Sequence, residues 1–179
     1  MSTASSPRAP AALASCTAPR RRLLRAAAVL ALYPLPGAAS AQPQQGQAVV
    51  WPDVTLLDGT RWGSDQAQGR HVIVVFWSTT CPFCLRHNAH IEKLRRAATG
   101  RALEIITVAR DKDAAAVKTY LARHGYGFQV TMAQDVMAAA LSRRRVIPLT
   151  ITVDRQGRLG QVIPGEMFED DVMEWLRLG

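Results

Sequence analysis

The segment from Val72 to Cys84 limits this chain more than any other. Val72-Ile73-Val74-Val75-Phe76-Trp77 is an unbroken run of apolar and β-branched residues. Such a run reads as a strand buried on both faces, in a sheet with helices on either side. Ser78-Thr79-Thr80 turns the chain, and Cys81-Pro82-Phe83-Cys84 then opens a stretch with few helix breakers. A strand, a turn, two cysteines separated by two residues and a helix make the setting in which a thiol pair does redox chemistry. Unsatisfied N–H groups at a helix N-terminus carry partial positive charge, which favours a thiolate there. The second cysteine lies one turn in, close enough to close a small disulfide ring. The competing readings are a structural disulfide and half of a metal site.

Helix phase separates the two cysteines. The predicted helix runs from Pro82 to Ala98 and is ended by Thr99-Gly100. Cys84, His87, Asn88, Ile91, Leu94 and Ala98 fall on one stripe, at steps of three or four. Cys84 is therefore expected on the inward side and Cys81 at the exposed tip, which suits a resolving and an attacking thiol. His87 is a candidate to donate to a thiolate or relay a proton, against the reading of a histidine on the helix surface. Arg86 and His90 point elsewhere on the helix and are expected in solvent.

The first 41 residues read as an export signal. They hold no Asp or Glu and five arginines, Arg8, Arg20, Arg21, Arg22 and Arg25. An apolar run from Ala26 to Leu35 follows, then Ala39-Ser40-Ala41, an A-x-A-like cleavage site before Gln42. The run is shorter than the roughly 20 residues that a membrane span needs, so no stable membrane insertion is expected after cleavage. Arg20-Arg21-Arg22-Leu23-Leu24-Arg25 resembles a twin-arginine signal, and either export route leads across a bacterial inner membrane. The formal charge of +8 is largely a property of this leader. Five of the 22 basic residues lie in it, leaving 17 against 14 acidic ones, a net +3. The high basicity is therefore no argument for nucleic-acid binding. Arg143-Arg144-Arg145 is the basic cluster that remains, and it reads as a solvated helix end.

Cleavage would also remove Cys16 and leave Cys81 and Cys84 as the only cysteines, in an oxidising compartment. A disulfide across two intervening residues closes almost no loop, so it gains little as a staple. The pair reads as functional. Residues 42–50 are polar and Pro/Gly-containing, a predicted flexible tether, and residues 51–179 form the domain.

Along that domain, Val54 to Leu57, the turn Asp58-Gly59 and Thr60 to Trp62 predict a short hairpin. His71–Trp77 and Leu103–Ala109 flank the Pro82 helix as a βαβ unit. A helix over Asp113–His124 follows, with Asp113 as its cap and Gly125 as its stop. Phe128–Met132 predicts a strand and Asp135–Leu141 a short helix with an Asp cap. A strand over Val146–Val153, entered through Pro148, turns at Asp154–Gly157 into a partner over Arg158–Ile163. The last helix is predicted over Phe168–Leu178, with Phe168, Val172, Met173 and Leu176 on its apolar face.

These residues resemble the thioredoxin superfamily, in its exported TlpA/ResA/CcmG-like branch, over about residues 51–178. The match rests on the Asp58-Gly59 hairpin, Val-Val-Phe-Trp running into Cys81-Pro82-Phe83-Cys84, Ile147-Pro148 at a strand entrance, and Asp154-x-x-Gly157 with Gly165. The resemblance implies an α/β thioredoxin-like fold, a central mixed sheet flanked by helices with an N-terminal hairpin. It implies a cis Ile147-Pro148 bond, a minority state for X-Pro at about 5–6%. The competing reading of Pro148 is an edge-strand proline. It also implies a groove for a partner's cysteine, formed by Ile147, Pro148, Trp77, Pro82 and Phe83. Val75 stands where the family carries a buried acid, Thr80 where Trp is usual before the first cysteine, Ala89 where a kinking proline is expected, and Leu149 where Thr is commoner. Asp111 and Asp113 fall in a segment where related proteins place an acid.

The implied chemistry is thiol–disulfide exchange with protein partners, Cys81 attacking and Cys84 resolving. No cofactor is expected beyond the Cys81–Cys84 pair, and no metal. The resemblance favours a periplasmic reductant recharged by a membrane electron donor, acting on apocytochrome c or copper-site cysteines. A disulfide oxidant or isomerase is the alternative. A different class is a Cu(I) module using Cys81, Cys84 and His87, since thiolates select soft ions. A peroxidase reading needs Thr-x-x-Cys, and Ser78-x-x-Cys81 does not supply it.

Overall fold

The computed structural model describes residues 42–179, so the expected leader and its cleavage site lie outside the described residues. The strand that anchors the domain is β3 (His71–Trp77), every residue of which after His71 is buried. Its side chains alternate between two cores. Val72, Val74 and Phe76 pack with Trp62, Met137 and Leu141 on one face. Ile73, Val75 and Trp77 pack with Cys84, Ile91, Leu94 and Val117 on the other. A strand sandwiched in this way has no polar face, which is why its sequence lacks the usual alternation.

β3 pairs in parallel with β4 (Leu103–Ala109), through the helix α2 (Pro82–Ala97), and antiparallel with β6 (Leu149–Val153). β5 (Gln129–Thr131) extends one side and β7 (Leu159–Pro164) the other, giving the order β5-β4-β3-β6-β7. This is the expected mixed five-stranded sheet. β1 (Val54–Thr55) and β2 (Arg61–Trp62) form a separate antiparallel hairpin, followed by the single turn α1 (Ser64–Ala67). The strands β1, β5 and β6 are shorter than their sequence runs, and β6 begins only after the proline. Residues 42–50, expected as a free tether, instead run along the β6–β7 hairpin. Gly46 N–H donates to Leu159 C=O, Val49 N–H donates to Gly157 C=O, and Val49 is buried.

The helix α3 (Ala114–His124) starts on Asp113, whose side chain accepts from Ala115 N–H, and stops at Gly125 in the left-handed conformation (φ 66°). The short α4 (Gln134–Ala140) differs from expectation at its start. Its cap position is Ala133, and Asp135 lies inside the first turn. The C-terminal segment also differs. α5 (Glu169–Met173) passes into a 3-10 turn over Glu174–Leu178. Phe168, expected on its apolar face, caps the helix and is 82% exposed, while Val172 and Trp175 enter the core. Trp175, three residues after Val172, joins the same core cluster, and Met173 and Leu176 pack partly buried against it.

α2 is held to the rest by two buried polar groups. Glu92 accepts from Arg95, Arg96 and the Gly127 N–H. Burial alone pushes the Glu92 carboxyl up, but these bonds outweigh it and hold its pKa at about 2. His87 is fully buried, with Nε2 3.0 Å from Thr150 Oγ1 on β6 and Nδ1 accepting from Met167 N–H at 3.3 Å. The reading of a helix-surface histidine is corrected here, because the 165–168 segment folds over this face. Burial, aided by the neighbouring His90, pushes the His87 pKa down to about 4.

The fold accepts His87 only neutral, whereas the unfolded chain takes up its proton near pH 6.5. Stability is therefore complete above that value and is lost as pH falls from 6.5 towards 4, by about 3 kcal/mol in order of magnitude. Glu92 adds its own loss only at lower pH. Urea unfolding across pH 4–7 is expected to show this decline in the natural protein and a much flatter profile in His87→Gln. An unchanged profile in the variant would assign the acid sensitivity elsewhere.

Candidate active site

The site is built where β3 ends. The last β3 residue, Trp77, offers its carbonyl to Arg110 N–H at the end of β4, and the chain then turns through residues 78–80 into α2. The turn is clamped by Asp111, which accepts from both the backbone N–H and the hydroxyl of Thr79. Asp111 therefore does belong to this end of the molecule, as a structural acceptor. Asp113, the other acid considered, is committed to capping α3.

Cys81 is the N-cap residue of α2, in extended conformation (φ −90°, ψ 114°), and Pro82 occupies the first turn. A cap side chain normally offers oxygen to the second or third N–H of the helix. Here the acceptor is sulfur: Cys84 N–H points at Cys81 Sγ over 3.2 Å. The cap thus places a backbone donor where it can solvate negative charge on the sulfur. On the other side, the Ile147 carbonyl lies 3.9 Å from Cys81 Sγ.

Both cysteines are free thiols, and their exposure differs as the helix phase predicts. Cys81 is half-buried and Cys84 is fully buried. Burial and then the hydrogen bond with Cys81 push the Cys84 thiol up to about 12, with the nearby Asp111 carboxylate acting in the same direction.

The Ile147–Pro148 peptide bond is cis, as the resemblance implies. Pro148 is not an edge-strand proline. It is buried and immediately precedes β6, which lies between β3 and β7. Its carbonyl accepts from Gly165 N–H at 2.8 Å, and Gly165 has φ 93°, a conformation suited to glycine. This closes the loop beside the cysteines.

Of the expected groove residues, Pro82 and Phe83 are exposed and Ile147 is half-exposed. Trp77 does not line the surface. It occupies an inward position of β3, is fully buried, and packs against Tyr120 and Phe128, so it backs the site from within. Arg86 is in solvent as expected, but it pairs with Glu166 and lies 5.2 Å over the Phe83 ring. Arg143–Arg145 is an exposed loop leading into Ile147 rather than a helix end, and the Arg144 and Arg145 carbonyls accept from Arg110.

Both ring nitrogens of His87 are occupied by Thr150 and Met167, neither by sulfur. Among the described residues no three His, Cys, Asp or Glu side chains are grouped to hold a metal. The Cys81, Cys84 and His87 copper triad is thus not assembled. Sequence reasoning gave no role to the buried Asn88 or the partly buried Tyr120, which lie near Cys84. The available signal was a polar residue, Asn88, on an otherwise inward stripe.

The Redoxin family model matches residues 44–174. A thiol-disulfide oxidoreductase ResA of Halalkalibacterium halodurans is 29% identical over 122 residues, covering 68% of this chain and 69% of that protein. A thiol-disulfide oxidoreductase ResA of Bacillus thuringiensis is 27% identical, covering 69% and 72%. Among solved structures, a thiol:disulfide interchange protein of the thioredoxin family from Chlorobium tepidum superimposes with a TM-score of 0.67 at 23% identity, over 78% of this chain and all of that one. StoA from Bacillus subtilis superimposes with a TM-score of 0.62 at 16% identity, over 72% and 98%. With its mixed sheet and helix-borne Cys-x-x-Cys, the chain belongs to the Redoxin family, as a thioredoxin-fold thiol-disulfide oxidoreductase.

Proposed function

We propose that this protein is an exported, periplasmic protein-disulfide reductase that works through Cys81 and Cys84. The observation that carries the reading is the asymmetry of the pair. One sulfur is half-buried at a helix cap beside the cis-proline loop, and the other is sealed one turn below it. In the reducing direction, the Cys81 thiolate attacks a partner disulfide, forming a mixed disulfide and releasing one partner sulfur as thiolate. The Cys84 thiol then gives up its proton and attacks Cys81 Sγ. The Cys81–Cys84 disulfide forms, the second partner sulfur leaves, and two electrons have passed to the partner. The oxidised protein must then be reduced by a donor, which for an exported protein is a membrane-borne thiol system.

The exposed Pro82-Phe83 dipeptide and Ile147 give the partner an apolar edge at the attacking sulfur. Such an edge suits a protein chain better than a small thiol. Targets of this class are cysteines that must be held reduced in an oxidising compartment, those of apocytochrome c or of a copper site. Export is supported by the leader-like residues 1–41. No described helix is long and apolar enough to cross a membrane.

Glutathione equilibration of the Cys81–Cys84 pair is expected to give a reduction potential near the thioredoxin level of about −270 mV, whereas one near about −120 mV would reverse the direction of electron flow. Roles are read by trapping. Cys84→Ser is expected to accumulate mixed disulfides with partner proteins at Cys81, and Cys81→Ser to accumulate almost none. Equal trapping by both variants would overturn the assignment of attacking and resolving thiols.

A further inference from the structure

The one carboxylate that acts on Cys84, Asp111, is engaged by the backbone N–H and hydroxyl of Thr79. The β3 residues buried in the Cys84 cluster, Ile73, Val75 and Trp77, carry no acid, and His87 is occupied at both nitrogens. Yet the surrounding core is not wholly apolar. The amide nitrogen and amide oxygen of Asn88, the hydroxyl of Tyr120 and Nε1 of Trp77 are all buried without a hydrogen-bond partner among the described residues. Leaving such groups unpaired typically costs about 1–3 kcal/mol each, so a concentration of them in one place calls for a reason.

They do share one place. Asn88 lies four residues after Cys84, on the same face one turn along the helix, and is fully buried. The Tyr120 ring packs on Trp77 with centroids 5.1 Å apart, and Trp77 and Cys84 belong to one core cluster. Burial pushes the Tyr120 phenol up to about 12, and Asn88 is close enough to its hydroxyl to oppose that shift. Together the orphaned atoms offer four donor hydrogens and two acceptor oxygens near the sulfur, enough for the two to four bonds that hold one buried water.

We infer that Asn88 and Tyr120 are positioning residues that hold a water against Cys84, and that this water relays the Cys84 proton as the disulfide closes. Trp77 Nε1 completes the cradle. The inference rests on the resolving role proposed for Cys84. In the step it serves, the Cys84 S–H bond breaks, the sulfur pair forms the bond to Cys81, the partner sulfur leaves with the old bond's electrons, and the proton passes by way of the water to that leaving sulfur, which departs as a thiol. A neutral amide and a phenol that stays protonated then do by orientation what a buried acid would do by titration.

The test separates the two chemical steps in the full chain. Reduced protein is mixed with oxidised glutathione, and quenched samples are resolved into reduced, mixed-disulfide and closed forms from pH 5 to 9. The titratable and charged groups that face Cys84 are Cys81, Asp111 and Arg110 after β4, and Tyr120 on α3, against which His124 and Tyr126 pack. Asn88→Leu and Tyr120→Phe are expected to slow closure by about tenfold at neutral pH, at the low end for a lost proton-transfer group. Attack by Cys81 is expected to stay within about twofold, so the mixed disulfide accumulates. Asn88→Asp, which places an acid at this position, is expected to recover fast closure and to shift its pH profile. Both apolar variants are expected to melt no lower than the natural protein, because they remove unpaired polar atoms. Closure at the natural rate and pH dependence in folded Asn88→Leu and Tyr120→Phe would overturn the inference. If no mixed disulfide forms at Cys81 in the natural protein, it is the proposed function that fails.

Discussion

The position at which β3 ends decides what the rest of the site can be. The strand is buried on both faces, and its parallel pairing with β4 runs without a break from His71–Leu103 to Trp77–Ala109. A slip of one residue would exchange the two sets of side chains, driving Trp77 and Val75 into the core built around Trp62 and Met137. The register is therefore fixed, and the turn after Trp77 is delivered to one place. There Asp111 grips Thr79, and Cys81 becomes the cap of α2. The sulfur that does chemistry is thus positioned by packing several residues away.

The same geometry gives the two cysteines different lives. A helix cap faces outward and a residue three positions later faces the sheet, so a Cys-x-x-Cys at a helix start is unequal by construction. Burial raises the energy of a charged Cys84, which keeps it a thiol until the mixed disulfide presents it with a sulfur to attack. Val75 fills the β3 position of this cluster between Ile73 and Trp77, and the buried polar atoms without a partner sit nearby on α2, α3 and β3.

Much of this was legible in the chain itself. Apolar continuity marked β3 and β4, Asp113 and Gly125 marked the ends of α3, and helical phase placed Cys84, His87, Asn88, Ile91 and Leu94 together. Each of those signals is local. The misses are non-local. Nothing near His87 in sequence reveals that the 165–168 segment covers it, and nothing near Trp77 reveals that Tyr120 and Phe128 close over its ring. Residues 42–50 are polar enough to suggest a tether, yet backbone bonds to the β6–β7 hairpin need no apolar side chains. Asn88 is the instructive case: its stripe predicted burial, but only the folded structure reveals that its amide has no hydrogen-bond partner among the described residues.

The unequal access of the two sulfurs is the claim on which the mechanism rests, and brief alkylation measures it directly. The reduced, folded protein is pulsed with iodoacetamide at neutral pH and each cysteine is read by peptide mapping. The account requires Cys81 to be modified quickly and Cys84 only after denaturation. Comparable labelling of Cys84 in the folded protein would contradict it.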